Sequence, residues 1–499
     1  MDKHNLQQAR AYEAEAEKRI PDGERPVFHL TPRTGWMNDP NGFSVYGGRY
    51  HLFYQYYPYD THWNAMHWGH AESEDLLQWT YRPAALAPDA PYDAFGCFSG
   101  SAVSLRDGRQ LLMYTGVRKG EDGKEYQTQC LAVGDGTDYL KDPRNPVLSA
   151  EDLPQGLSPH DFRDPKILER REGDEGYHCV VAARRRDLRG VLLLYGSEDG
   201  LTWHFENVLA ENDGRFGLMW ECPDFFELDG RDVLFVSPQD MLPEGDAYHG
   251  GNGTVCQIGR WDRETGRFHM ERHQTLDHGM DFYAPQTLKT PDGRRVMIGW
   301  VQNWATLQTT GYPHRGWFGQ MTVPRELTVR DGKLYQRPVR ELEAHRGEAV
   351  VYRGVRISER KRLPQVEGRC AELELRLCPG SDCRRFTLRL AEDERFFTTL
   401  SLYPEGAGKG RLELDRSFSG SRRAYLHTRQ CRVDLPEDGI RLRVILDRFS
   451  AEVFVNDGEQ VMSAVILTDS DARGIAFEAE GEAVMDMTKY SLFGADRGI

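Results

Sequence analysis

The chain lacks any run of apolar residues near the roughly 20 needed to cross a bilayer as a helix. It lacks a basic excess as well: 63 Lys and Arg stand against 78 Asp and Glu, a formal net charge of -15. A surface that acidic repels nucleic acid and anionic lipid at long range, so neither a nucleic-acid nor a membrane partner is expected. The nine cysteines are scattered, odd in number and without a Cys-x-x-Cys pair. That excludes a regular disulfide framework or zinc site and suits reduced thiols in a cytoplasm. The first 20 residues form a charge-rich amphipathic helix candidate with no apolar signal core, which again points to a cytoplasmic protein. No Gly-rich phosphate loop is present. Charged residues at 28% and apolar residues at 39% describe a globular chain, long enough for two or more domains.

Long helical periodicity is also missing from the first two thirds, which disfavours a barrel of alternating strands and helices. A repeated hairpin takes its place. "NDPNGFSVYGGRYHLFYQ", "FSGSAVSLRDGRQLLMYTG", "FRDPKILERREGDEGYHCVVAA", "ECPDFFELDGRDVLFVSPQ" and "YAPQTLKTPDGRRVMIGWVQ" share one plan. Each has a polar or proline-bearing start, an apolar strand, a glycine turn and a second apolar strand. The turn glycines Gly48, Gly108, Gly176, Gly230 and Gly293 lie 60, 68, 54 and 63 residues apart. "SEDLLQWTY" at Ser73 returns as "SEDGLTWHF" at Ser197, about two repeats later. Units of this length suit four-stranded sheets arranged radially, so an all-β fold is expected, with a five-bladed β-propeller over residues 28–335. A helical extension over residues 1–27 precedes it. After a linker at residues 336–350, period-two alternation such as "CAELELRLCP" and "IRLRVILDRFSAEVFVND" predicts a β-sandwich over residues 351–499.

In a propeller the innermost strands line the channel, and the repeat starts converge at one end. Asp39, Asp164 and Glu221 all occur in such starts, which places three carboxylates at equivalent positions around one pocket. "TGWMNDPNGF" reads locally as a turn carrying Asp39, with backbone N–H groups to keep that carboxylate ionised. Glu221, flanked by Trp220, Phe225 and Phe226 in "MWECPDFF", is expected among apolar walls that raise its pKa, as a proton donor requires. Asp164, beside Arg163, suits the gripping of sugar hydroxyls. Such an inventory fits glycoside hydrolysis, in which one carboxylate attacks and another protonates, about 5–5.5 Å apart in retaining enzymes. Trp36, Trp63, Trp68, Trp300 and Trp304 supply aromatic faces, with Trp63 the foremost sugar-stacking candidate. His62, His67 and His70 match no helical ligand pair, so no metal and no cofactor are expected.

"WMNDPNG", "FSGSAV", "FRDPK" and "WECPDFF", in that order, resemble the signature blocks of glycoside hydrolase family 32, the invertase and fructosidase family. "HWGHA", "FYQYYP", "FYAPQ", "PREL" and the tail motif "LDRFSAEVFVNDGE" extend the resemblance from about residue 28 to 490. It implies a five-bladed propeller followed by a β-sandwich. It also implies Asp39 as nucleophile, Glu221 as acid/base and Asp164 as transition-state stabiliser. Asn38, Gln55, Trp63, Phe98, Ser99, Arg163, Tyr283 and Trp304 match positions lining the fructosyl subsite. Tyr57 stands where many members carry Asn, which touches the aglycone side. The expected substrate is sucrose or sucrose 6-phosphate, hydrolysed by a monomer or homodimer. Exo-hydrolysis of fructo-oligosaccharides, an inverting pentosan-directed propeller and a non-catalytic sugar-binding propeller are the alternatives.

Overall fold

The computed structural model describes residues 5–170, 175–306, 315–420 and 426–494. An N-terminal helix, Leu6–Ala16, is capped by the Asn5 side chain, which accepts from the Gln7 and Gln8 amides. Five sheets then follow in chain order, antiparallel except where the short strand Trp317–Phe318 joins the first of them in parallel, and they are the blades of a propeller. Their inner strands are Gly35–Tyr46, Gly96–Ser104, Leu157–Ile167, Trp220–Leu228 and Tyr283–Lys289, in blades I to V. Neighbouring inner strands touch in the cyclic order I–II–III–IV–V–I, which closes the ring around a central channel.

The repeated glycine turns sit where the hairpins require them. Gly47–Gly48 in blade I and Asp229–Gly230 in blade IV are two-residue connections with both residues at positive φ. That geometry matches strand twist and favours Gly or Asp-Gly. Residues 171–174 of the third hairpin lie outside the described residues. The second sequence echo is a shared turn between the third and fourth strands. Asp75 accepts from the amides of Leu77 and Gln78 in blade I, and Asp199 from those of Leu201 and Thr202 in blade III.

One irregularity recurs in every blade. Pairing with the second strand slips between Met37 and Pro40, Phe98 and Gly100, Arg163 and Lys166, Glu221 and Asp224, and Tyr283 and Gln286. Each slip is a β-bulge, an extra residue that breaks the ladder and re-aims side chains. Asp164, Cys222 and Ala284 take positive φ there, at +61°, +46° and +50°. The next residue is Pro40, Gly100, Pro165, Pro223 or Pro285, where proline's missing N–H leaves no donor stranded in the broken ladder. One step deeper, buried polar side chains stitch the blades together. Ser101 Oγ donates to the Pro165 carbonyl at 2.8 Å, Lys166 Nζ pairs with Asp224 at 3.2 Å, and Gln286 Nε2 donates to the Gly100 carbonyl at 2.8 Å.

"NDPNG" is therefore not a turn but the bulged start of a channel strand. Turn residues and bulge residues share the same preferences for Asp, Asn, Pro and Gly, which is why the stretch reads as a turn.

Downstream, a short 3₁₀ segment, Arg340–His345, leads directly into the strand Arg346–Ile357. That strand belongs to a six-stranded sheet packed on a five-stranded one, with Leu373, Leu388, Val444, Val453 and Phe477 in the core between them. The outer face of the six-stranded sheet packs on the propeller through Ile445, Phe454, Val461 and Leu492. A buried ionic web runs along the same contact. Arg325 meets Asp277 at 3.0 Å and Glu452 at 2.6 Å, while His29 lies 2.8 Å from Asp447 and 2.9 Å from Glu452.

Candidate active site

The register of the bulges sorts the channel-mouth side chains into two tiers. Asn38, Phe98, Arg163, Glu221 and Tyr283 occupy the first position; Asp39, Ser99, Asp164, Cys222 and Ala284 occupy the second. Asp39 and Asp164 are thus structural equivalents, whereas Glu221 stands one residue earlier. The expectation of three equivalent acids is corrected by that offset. Cys222 holds the position that Glu221 was expected to fill.

The second tier is a hydrogen-bonded cluster. Ser99 Oγ donates to Asp39 Oδ2 at 2.7 Å. Cys222 Sγ lies 3.5 Å from the same oxygen and 3.7 Å from Asp164 Oδ2, so one thiol lies between the two aspartates. The Cys222 backbone N–H donates to Asp164 Oδ2 at 2.9 Å, and the Asp164 N–H donates to Thr115 Oγ1 at 2.9 Å. Burial pushes the Cys222 thiol well up, so it is present as a neutral donor.

Burial and the like charge of Glu221 raise the Asp39 carboxyl to about 6, against the lowering by Ser99, Asn38 and Cys222. Asp164 rises to about 7. Burial is again the main cause; Glu221 and Asp39 add to it, and Arg163 opposes it. Backbone N–H groups are expected from the sequence to keep Asp39 ionised; in the structure its side-chain partners are the Ser99 hydroxyl and the Cys222 thiol, and burial raises its pKa.

Glu221 is not walled by the aromatics next to it in sequence. Trp220 and Phe225 pack in the core between blades III and IV, and Phe226 in the core between IV and V. Its carboxylate is held by polar groups. Arg163 Nη2 and Nε donate to Oε1 at 3.1 and 3.2 Å, and the Tyr283 hydroxyl lies 2.7 Å from Oε2. Arg163 also pairs with Asp161 at 3.0 Å and stands 3.8 Å from Asp164. Its charge is therefore spent mainly on Glu221 and Asp161, with Asp164 further off. Asn252 Nδ2 donates to the Tyr283 hydroxyl at 3.0 Å.

The remaining candidates frame the mouth. Asn38 Oδ1 accepts from Trp36 Nε1 at 2.8 Å. Trp304 stacks on Trp36 with ring centroids 5.9 Å apart. Trp63 is 39% exposed and meets Phe98 edge-on at 5.8 Å, and of the five tryptophans considered it alone is so open. Trp36, Trp68 and Trp300 are fully buried and serve the core. Gln55 is buried as well, its amide donating to the Cys97 carbonyl at 2.9 Å. Sequence reasoning missed Cys222 and Asn252. The first carries a signal, since "ECP" aligns with "NDP" and "RDP" in the repeat; the second lies in an excursion outside it.

Carboxylates gathered among aromatic side chains at the mouth of a five-bladed propeller, with a β-sandwich behind, define a glycoside hydrolase. The chain belongs to glycoside hydrolase family 32, the family of β-fructofuranosidases and sucrose-6-phosphate hydrolases. Residues 29–338 match the family's N-terminal domain and residues 341–492 its C-terminal domain. Sucrose-6-phosphate hydrolase of Escherichia coli is 38% identical over 470 residues, covering 92% of this chain and 93% of that protein. Raffinose invertase of Escherichia coli is 37% identical over 467 residues, with 92% and 93% covered. Among solved structures, the family 32 β-fructofuranosidase of Bombyx mori aligns with a TM-score of 0.83 at 34% identity, covering 97% of both chains. Sucrose-6-phosphate hydrolase from Lactobacillus gasseri aligns at 0.84 and 27% identity, covering 98% of this chain and 99% of that one.

Proposed function

We propose that the protein hydrolyses the terminal β-D-fructofuranosyl unit of sucrose or sucrose 6-phosphate with retention. Asp39 Oδ attacks the anomeric carbon and forms a fructosyl ester, while the glycosidic C–O bond breaks and the leaving oxygen takes a proton from Glu221. Water then attacks the same carbon, gives its proton to Glu221 and releases Asp39. Asp164 holds fructosyl hydroxyls as positive charge develops on the ring. Asn38, Gln55, Trp63, Phe98, Ser99, Arg163, Tyr283 and Trp304 surround the fructosyl unit.

The observation that carries this reading is the convergence of Asp39, Asp164 and Glu221 through Cys222 and Arg163. The substrate choice is supported by the names of the relatives, and a cytoplasmic setting by nine scattered cysteines without a Cys-x-x-Cys pair. The test is a product assay on sucrose, sucrose 6-phosphate, kestose and inulin side by side. Asp39→Asn and Glu221→Gln are each expected to cut hydrolysis by more than about a thousandfold while folding is preserved. Near-normal turnover by either variant would show that the roles are misassigned.

A further inference from the structure

The excursion between the second and third strands of blade IV, residues 239–254, runs from the channel mouth to the sandwich and is fastened at both ends. At its tip, Gln430 Nε2 of the sandwich donates to Asp246 Oδ1 at 2.6 Å. Arg429 Nη2 donates to the carbonyls of Asp246 and Ala247 at 3.3 and 3.4 Å. Two backbone bridges, Met241 with Gly251 and Glu244 with Tyr248, stiffen the excursion into a ribbon. At its base, Asn303 Nδ2 donates to the Asn252 carbonyl at 2.9 Å. The Asn252 side chain then donates to the Tyr283 hydroxyl, which lies 2.7 Å from Glu221 Oε2 and 3.0 Å from the Ser237 carbonyl.

A phenol has one proton. With Asn252 donating into the oxygen, the hydroxyl gives its one proton either to the Ser237 carbonyl or to Glu221 when Glu221 is a carboxylate. The Ser237 carbonyl is a permanent acceptor, whereas the Glu221 oxygen accepts most strongly when the carboxylate is charged. Tyr283 therefore turns to Glu221 when Glu221 has given up its proton, and to Ser237 when Glu221 holds it.

We propose that the sandwich positions the proton donor of the reaction. Arg429 and Gln430 pin the 239–254 ribbon, and Asn252 at its base fixes Tyr283 as a hydrogen-bond donor to Glu221. The inference rests on Glu221 being the acid/base. The other charged and titratable groups around Glu221 are Arg163 with Asp161 behind it, Asp39, Asp164 and Cys222. All belong to the propeller. The sandwich also grips Asp281, two residues before Tyr283, through Arg416 and the Val465 amide, so the ribbon is tested by a change at Gln430, which touches neither.

Full-length Asn252→Asp, which keeps the shape but replaces the donor by an acceptor, is compared with Gln430→Ala on sucrose and on an aryl β-fructofuranoside. Asn252→Ala serves where the aspartate disturbs folding. The Asn252 variant is expected to lose about tenfold or more in kcat on sucrose, with KM within about twofold, and clearly less on the aryl substrate, whose leaving group needs little protonation. The alkaline limb of kcat/KM is expected to move to higher pH, because a carboxylate deprived of a donor holds its proton more tightly. Gln430→Ala shows the same signature in smaller degree, and the double variant loses no more than the Asn252 variant alone. Equal loss on both substrates with an unmoved profile, or wild-type kinetics in the Asn252 variant, overturns the proposal. Glu221→Gln separates the two readings. If it too impairs both substrates equally, the acid/base assignment fails and the positioning falls with it. If it discriminates between them and Asn252→Asp does not, the positioning alone fails.

Discussion

A carboxylate buried beside two others is costly to keep charged, and Asp39 carries that cost. Its folded pKa of about 6 exceeds the ordinary 3.8, so between those values the folded state binds more protons than the unfolded one. Stability therefore falls as pH rises through that window and stays lower above it. Asp39→Asn should remove the penalty, raising stability near pH 7.5 by up to about 3 kcal/mol and flattening the decline between about pH 4 and 6. Denaturant titrations of both proteins across that range measure it; a less stable variant at neutral pH would contradict the placement. Ser99 pulls the other way, since its 2.7 Å bond favours the charged carboxylate. Ser99→Ala should shift the acid limb of kcat/KM upward by about one pH unit. A limb that stays in place would show that another group sets it.

The element that organises the site is the bulged inner strand, five times over. Its hairpin plan was legible in the sequence because each unit repeats a polar start, Gly turn and apolar strands. The bulge was not, because the extra residue shows only against the partner strand. That is how Glu221 came to be aligned with Asp39 and Asp164 although its neighbour Cys222 is their true counterpart. Nor could the sequence show that Trp220, Phe225 and Phe226 turn into the cores between blades, since side-chain direction follows from the same unseen register. Gly100 tests the importance of this geometry. Four blades place proline there, and a Cβ on Gly100 would fall against the Met113 carbonyl oxygen in the paired strand. Gly100→Ala should cost about 2–4 kcal/mol of stability, read from the denaturation midpoint. A neutral substitution would mean that the bulge yields easily.

At the scale of the whole molecule, propeller and sandwich are joined by charges as well as apolar packing. Arg325 is fully buried between Asp277 and Glu452, with Gln336 and Ser463 filling its other donors. Arg325→Ala would strand two carboxylates and should cost about 3–5 kcal/mol, seen as a lower Tm for the whole chain. Separate unfolding of a sandwich with unchanged Tm would argue that the web does not couple the units. His29 has the same sign of linkage as Asp39, in a higher pH window. Asp447 and Glu452 hold it charged up to about 9 despite its burial. Its contribution is thus fully present below about pH 6.5 and lost as pH rises through 9. The Tm difference between the protein and His29→Gln should therefore shrink from pH 6 to pH 10; a constant difference would point to packing alone. His29 is 418 residues from Asp447 and 423 from Glu452, and no periodicity in a sequence reports contacts of that span.

The five second-tier positions amount to seats around a table, filled in order by Asp39, Ser99, Asp164, Cys222 and Ala284. Acidic side chains occupy two seats that are not adjacent. Ser99 sits between the aspartates on one side, and Cys222 and Ala284 on the other. A third acid at any of those three seats would sit directly beside an existing one, and mutual repulsion would force a proton onto one of the pair. The circular frame thus sets an upper bound on the charge this pocket can hold at neutral pH, whatever the chemistry asked of it.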